Sequence, residues 1–193
     1  MRVGVLHPGE MGVTVLESLM ANGVSATWVK EGRGESTIQR ASSVPSLDTL
    51  EELTDSVETI ISVCPPSAAL EVALNIFDKG FKGIYVDANA ISPLESRKIS
   101  ELFGAAFVDG GIIGPPAKEA GTTRIYLSGM RSREVVDLFK VGPLEAIALS
   151  ESSDPDEITA ASALKMAYAG FSKGSSALLL AVNAFARKSG VLE

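Results

Sequence analysis

The first dozen residues constrain this chain more than any other stretch. Val3, Val5 and Leu6 form a short apolar run, Pro8-Gly9 interrupts it, and from Gly12 onward Val13, Leu16, Leu19 and Met20 recur at helical spacing. A buried strand, a glycine-containing turn and a helix in that order open a dinucleotide-binding βαβ unit. Its helix N-terminus offers unpaired N–H groups and a positive dipole end to a pyrophosphate. The positions of the G-x-G-x-x-G fingerprint fall here on His7, Gly9 and Gly12. Gly9 would let the backbone approach phosphates, and Gly12 would let the helix pack close to the strand. An ordinary strand-to-helix turn also accommodates such a pattern, so the remainder of the chain decides.

That remainder alternates strand and helix. Ser25–Val29 reads as a second strand. Gln39–Val44 reads as a helix with a short strand, and Ser46–Thr54 as a short helix opened by Ser46. Val57–Cys64 is a β-branched run stopped by Pro65-Pro66, as expected of a buried parallel strand. Helices are expected after Pro66-Ser67 and after Ile91-Ser92-Pro93, and over Ser132–Phe139. Ile84–Asp87, Ala106–Asp109 and Arg124–Gly129 read as strands, and Asp109–Pro116 as a loop. The expected fold is α/β, a doubly wound and mostly parallel sheet.

In such sheets ligands sit beyond the carboxyl ends of the strands. The loops there are HPGEMG (His7, Pro8, Gly9, Glu10, Met11, Gly12), CPPS with Cys64 and Pro65, DANAISP with Asn89, and DGGIIGPP with Ile112, Ile113 and Gly114. After the second strand, Lys30 stands where an acid would bind the ribose hydroxyls of NAD. Arg33, Ser36 and Thr37 follow, a set suited to a ribose 2′-phosphate, so NADP is expected over NAD, with Glu31 as the counter-indication.

Ser150–Asp156 is polar, acidic and proline-containing and reads as a linker. From Glu157 to about Lys188 the chain is alanine-dense, proline-free and helical in spacing. Lys165, Tyr168, Ala169 and Ser172 share one face of that helix. A formal net charge of −7 argues against non-specific nucleic-acid or acidic-membrane binding. One cysteine and one histidine exclude a disulfide and the familiar zinc clusters, so no metal is expected. No signal peptide or spanning segment is read, and a cytoplasmic protein is expected.

With these motifs in order, the chain resembles the β-hydroxyacid dehydrogenase superfamily, which includes 3-hydroxyisobutyrate and 6-phosphogluconate dehydrogenases. It is most similar to a poorly characterised branch with a helical C-terminal domain of unassigned function. HPGEMG stands at the family's cofactor turn, EGRGEST at the end of the second strand and VDANAISP at the nicotinamide side. DGGIIGPP with Gly121-Thr122 stands at the substrate loop, and SALKMAYAG at the catalytic helix. The resemblance implies a Rossmann domain over residues 1–153 and the start of a helical substrate and dimerisation domain over 154–193. It implies hydride transfer between nicotinamide and a hydroxyl-bearing carbon, with Lys165 as general acid/base. The substrate contacts implied are Asn89, Ile112, Ile113, Gly114 and Tyr168, and His7 is expected to have no catalytic role.

Two departures bear on the substrate. Ile113-Gly114-Pro115 replaces Ser-Gly-Gly, and Ala169 replaces an asparagine one turn past the lysine, so a bulkier or less polar substrate, even an imine, is expected. Family members continue for several more helices and commonly dimerise through them. The chain therefore reads as a truncated member, its Ser189–Glu193 leading into a further helix. The competing expectation is an NADP-binding protein without turnover, structural or redox-signalling in role.

Overall fold

The computed structural model describes residues 1–191. From β1 (Arg2–Leu6) the chain passes through the glycine turn into α1 (Glu10–Ala21), then β2 (Ser25–Val29), α2 (Glu35–Arg40), β3 (Ser46–Leu47) and α3 (Leu50–Ser56). There follow β4 (Thr59–Ser62), α4 (Ala69–Asp78), β5 (Ile84–Asp87), α5 (Pro93–Phe103) and β6 (Phe107–Ile113). The chain ends with β7 (Thr123–Ser128), α6 (Ser132–Val136), β8 (Leu144–Ser150) and α7 (Ala160–Lys188). The strands form one eight-stranded sheet in the order β3-β2-β1-β4-β5-β6-β7-β8. Among the described residues only β6 and β7 pair antiparallel. The chain is thus a doubly wound Rossmann-like α/β fold, and its strand order reverses between β1 and β4, where such sheets open a crevice.

Both faces of the central strands are covered, which is why they read as continuous apolar runs. Val3, Val5, Ile61, Val86 and Val108 pack with Val15, Leu16 and Leu19 of α1 and Val135 of α6. On the other face Leu6, Ile60, Tyr85 and Phe107 pack with Leu53, Ala73, Ile76 and Ile99 of α3, α4 and α5. Among the described residues no helix is long and apolar enough to cross a membrane.

Several expected elements shift. Ser46 opens no helix: Ser46–Leu47 is an edge strand, and α3 begins at Leu50. Thr49 wins the cap because Glu52 lies three residues on. The Thr49 side chain accepts from the Glu52 N–H, and the Glu52 carboxylate accepts from the Thr49 N–H. Of the helix and short strand expected over Gln39–Val44, the helix is α2, which spans Glu35–Arg40, and residues 41–44 form a turn and bend rather than a strand. The helix expected over Ser132–Phe139 is the short α6. The strand within Val57–Cys64 is confined to Thr59–Ser62. Asp109–Pro116 is not a loop: β6 runs on to Ile113, because Asp109–Ile113 pairs with Arg124–Ser128. Strand β8 is not among the expected elements; its Ala146–Leu149 is a short apolar run between Glu145 and Ser150. Of Ser150–Asp156, Ser150 ends β8, and Arg97 holds the rest through the Pro155 carbonyl and Asp156. Leu192 and Glu193 of the expected terminal helix start lie outside the described residues.

Strand register places one row of side chains along the carboxyl edge: Leu6, Ser62, Asp87, Asp109 and Ser128 on β1, β4, β5, β6 and β7. After the first, every member is polar, and all of these polar residues are buried.

Candidate active site

The β1–α1 turn is built as a phosphate cradle. A Cβ on Gly9 would meet nothing closer than the His7 carbonyl oxygen at 3.9 Å, so its outer side is open. At Gly12 a Cβ would lie 2.5 Å from that oxygen, so only glycine lets α1 start this close to β1. Among the described residues no side chain caps α1, which leaves its first N–H groups for an anion. Pro8 is buried, Glu10 is exposed and Met11 is half-buried. His7, at the missing glycine, has φ 62°, the left-handed conformation a glycine would adopt without strain.

Beside this turn lies a cleft of about 390 Å³, lined by Leu6, His7 and Val29, by Glu31–Arg33, and by Ala68, Val72 and Ile76 of the β4–α4 segment. Its lining is mostly apolar, with Arg33, Glu31 and Glu71 as its charged members. The Nδ1 of His7 is buried with no hydrogen-bond partner among the described residues. Burial first, then repulsion from Arg33, pushes the imidazole pKa down to about 4. Arg33 donates from Nε to the Glu31 carbonyl at 3.1 Å and forms no ion pair among the described residues. Lys30 is drawn away to Asp48 at 3.2 Å. The Glu31 carboxylate accepts from the Leu50 N–H at 2.9 Å. Ser36 and Thr37, in the first turn of α2, do not line the cleft. An open Gly9, an orphaned imidazole nitrogen and an unpaired guanidinium fit an adenine dinucleotide.

Cys64 and Asn89 are brought together, but inside the protein. The Asn89 side-chain carbonyl accepts from the Cys64 N–H at 2.6 Å, and its amide donates to Ser62 Oγ at 3.2 Å and to Asp87 at 3.0 Å. Asn89 thereby ties the loop after β4 to the loop after β5, while Pro65 stays exposed. Among the described residues the Asp87 carboxylate accepts only from Asn89 N–H groups, and burial raises its carboxyl to about 7. Burial likewise pushes the Cys64 thiol up.

Asp109 does what sequence reasoning missed. Its carboxylate accepts from the Ser162 N–H at 2.7 Å, Ser162 Oγ at 2.6 Å and Ser96 Oγ at 2.8 Å. Ser128 Oγ accepts from the Ala161 N–H and donates to the Ile158 carbonyl. Side chains from β6 and β7 thus cap α7 from outside the helix, an acid at its positive end. Burial raises the Asp109 pKa, and the serine donors oppose it. The legible signal was an aspartate directly ending each of two apolar runs, Tyr85-Val86-Asp87 and Phe107-Val108-Asp109.

This cap sets Lys165 one turn beyond Ser162. Gly111 lets the helix close on β6, since a Cβ there would lie 2.8 Å from the Ala161 carbonyl oxygen and 3.2 Å from Lys165 Cβ. Lys165 Nζ donates to the Ile112 carbonyl at 2.6 Å. Burial, then repulsion from Lys173, lowers its pKa. Tyr168 is 47% exposed on the next turn.

The side chains expected at the substrate loop behave differently. Ile112 offers its carbonyl to Lys165, but its side chain belongs to the core beneath. Ile113 is half-buried. Gly114 has φ 130° and packs against Thr122 and Thr123. The loop is moored to α1, where Thr14 Oγ1 accepts from the Ala117 N–H and donates to the Met11 carbonyl.

Comparison with known proteins agrees with this geometry. No family model matches the chain. It is 32% identical over 197 residues to an uncharacterised 28.5 kDa protein of Methanothermus fervidus, covering all of this chain and 74% of that one. The solved structure of the conserved protein MTH1747, of unknown function but structurally similar to 3-hydroxyacid dehydrogenases, matches with TM-score 0.80. Its identity is 32%, with 99% of this chain and 72% of that one covered. An imine reductase variant from Myxococcus stipitatus, in complex with NAD+, shares the fold at TM-score 0.74 and 17% identity, over 99% of this chain and 67% of that one. The phosphate cradle, the lysine-bearing helix and these relatives together show that the chain belongs to the β-hydroxyacid dehydrogenase superfamily of oxidoreductases.

Proposed function

We propose that this chain forms the cofactor- and proton-handling part of an NADP-dependent oxidoreductase acting on a hydroxyacid-like alcohol or an imine. The observation that carries the reading is Lys165, whose Nζ reaches the carboxyl edge of the sheet 2.6 Å from the Ile112 carbonyl, on a helix pinned by Asp109. One N–H is engaged, leaving two for a substrate oxygen or nitrogen. Burial moves the ammonium pKa towards the range useful to a general acid/base. The nicotinamide supplies hydride exchange when bound. Gly9–Gly12 hold the pyrophosphate and the cleft beside His7 holds the adenosine.

NADP is favoured over NAD because Arg33 is an unpaired cation at the cleft, with the free hydroxyls of Ser36 and Thr37 nearby in sequence. The Glu31 carboxylate is engaged by the Leu50 N–H. Ile113, Gly114 and Ala169 bring no polar side chain to the substrate side, which favours a less polar or bulkier substrate. Exposed Phe171, Leu178, Leu180 and Phe185 on α7 support a homodimer through the helical region.

A second reading, nucleotide binding without turnover, is favoured by the same Lys165–Ile112 bond, since a tethering lysine would make it too. Fluorescence titration with NADPH and NADH, followed by turnover assays over hydroxyacids, alcohols and imines, separates the two. Turnover that is lost in Lys165→Met with NADPH affinity retained supports the enzyme. NADPH binding with no turnover of any class supports the second reading, and absence of nucleotide binding overturns both.

A further inference from the structure

We propose that His7 and Arg33 together clamp the cofactor's 2′-phosphate, and that closing the clamp takes up a proton on the His7 imidazole. The inference rests on reading the cleft as an NADP site. Three observations carry it. His7 holds a left-handed conformation that favours glycine, so its side chain is kept there against a backbone cost. That side chain lines the cleft with Arg33, and its Nδ1 is buried without a partner among the described residues. Arg33 is likewise without a carboxylate among the described residues. A guanidinium outside any ion pair among the described residues and a neutral imidazole, both partly stripped of water, thus face one cleft together with the carboxylates of Glu31 and Glu71.

Two carboxylates share the cleft lining with His7 and Arg33. Glu31 has its carboxylate on the Leu50 N–H, Lys30 is paired with Asp48, and Glu71 lines the cleft from α4. The Cys64 thiol, near Arg33, is held neutral by burial. Without ligand, burial and Arg33 keep the imidazole neutral. A phosphate dianion between the two groups reverses the field at the ring, so a proton from solvent binds there and both cations then donate charge-assisted hydrogen bonds. NADH lacks the 2′-phosphate and closes no clamp.

The phosphate's own second ionisation lies near 6, and binding beside cations releases that proton, opposite in sign. The test therefore compares variants. NADPH and NADH are titrated calorimetrically, slightly below neutral pH, in two buffers of different ionisation enthalpy, into the wild type, His7→Asn and His7→Gly. Both replacements tolerate the left-handed turn. On NADPH the wild type is expected to take up about half a proton or more relative to either variant, with affinity about tenfold higher. On NADH, proton exchange and affinity are expected to be unaffected by the variants. Proton exchange on NADPH that does not depend on His7 overturns the clamp while leaving the NADP reading intact. A His7-dependent uptake equal for NADH assigns the imidazole to the pyrophosphate and overturns it as well. Failure of the wild type to bind either nucleotide overturns the clamp and the reading beneath it.

Discussion

The two ends of the carboxyl edge are constructed on opposite plans. At β1 the phosphate cradle is local: His7, Gly9 and Gly12 lie within six residues and the constraint is backbone shape. At β6 the lysine site is assembled from afar. Asp109 holds Ser162 across 53 residues, Ser128 holds Ala161 across 33, and Lys165 reaches the Ile112 carbonyl across 53. The contrast continues within α7. Ala161 and Ser162 are fully buried, whereas Leu180 and Phe185 are each 72% exposed. A local site depends on conformation and is written in glycines. A remote site depends on buried electrostatics and is written in residues that look unremarkable singly.

If the contrast holds, substitutions at the two ends should fail in different ways. Lys165→Met should lower kcat by about 10²–10⁴-fold, as expected for a general acid/base, with nucleotide affinity retained. Normal turnover in that variant would remove the lysine from the chemistry. Asp109→Asn should cost roughly 3 kcal/mol in denaturant unfolding, because an amide N–H₂ must face groups that already donate. A loss below about 1 kcal/mol would mean that α7 does not need its remote cap.

At the local end, Arg33→Ala should weaken NADPH binding by roughly 1.5–3 kcal/mol and leave NADH nearly untouched, since one charge-assisted contact is lost. Equal affinity of the unmutated protein for the two nucleotides would defeat the assignment.

Asp87 sharpens the comparison through pH. Its folded pKa, about 7, lies above the ordinary carboxyl value of 3.8. Between those values the folded state therefore holds more protons than the unfolded one, and stability is lost as pH rises through the window, at up to about 1.4 kcal/mol per pH unit. Asp87→Asn should flatten that slope, and an unchanged pH profile of unfolding would show that the carboxyl is already ionised in the folded state. The smallest effect is expected at His7→Gly, which relieves the left-handed strain and should raise stability without ligand by about 1 kcal/mol. A fall in thermal midpoint would mean that imidazole packing outweighs the backbone cost.

The sequence by itself determined whatever rests on short-range pattern. The β1–α1 turn, the alternation of strands and helices, the apolar runs of a doubly covered sheet and the lysine on an alanine-rich helix all follow from spacing and local conformation. Tertiary structure decided what spacing cannot carry. Glycines at 110 and 111 suggested a loop, yet they lie in β6, which pairs with β7, and the close approach of the Asp87 and Ala161 carbonyl oxygens leaves no room for a Cβ at either. Asn89 looked like a ligand contact, but strand register sets it beside Ser62 and Asp87, where buried donors and acceptors must pair. Asp109 became the cap of α7 only when β6 met that helix, since a buried carboxylate is tolerated where several donors converge on it. Hydrogen bonds across 53 residues leave no periodic trace in a chain, and only the folded sheet brings their partners within reach.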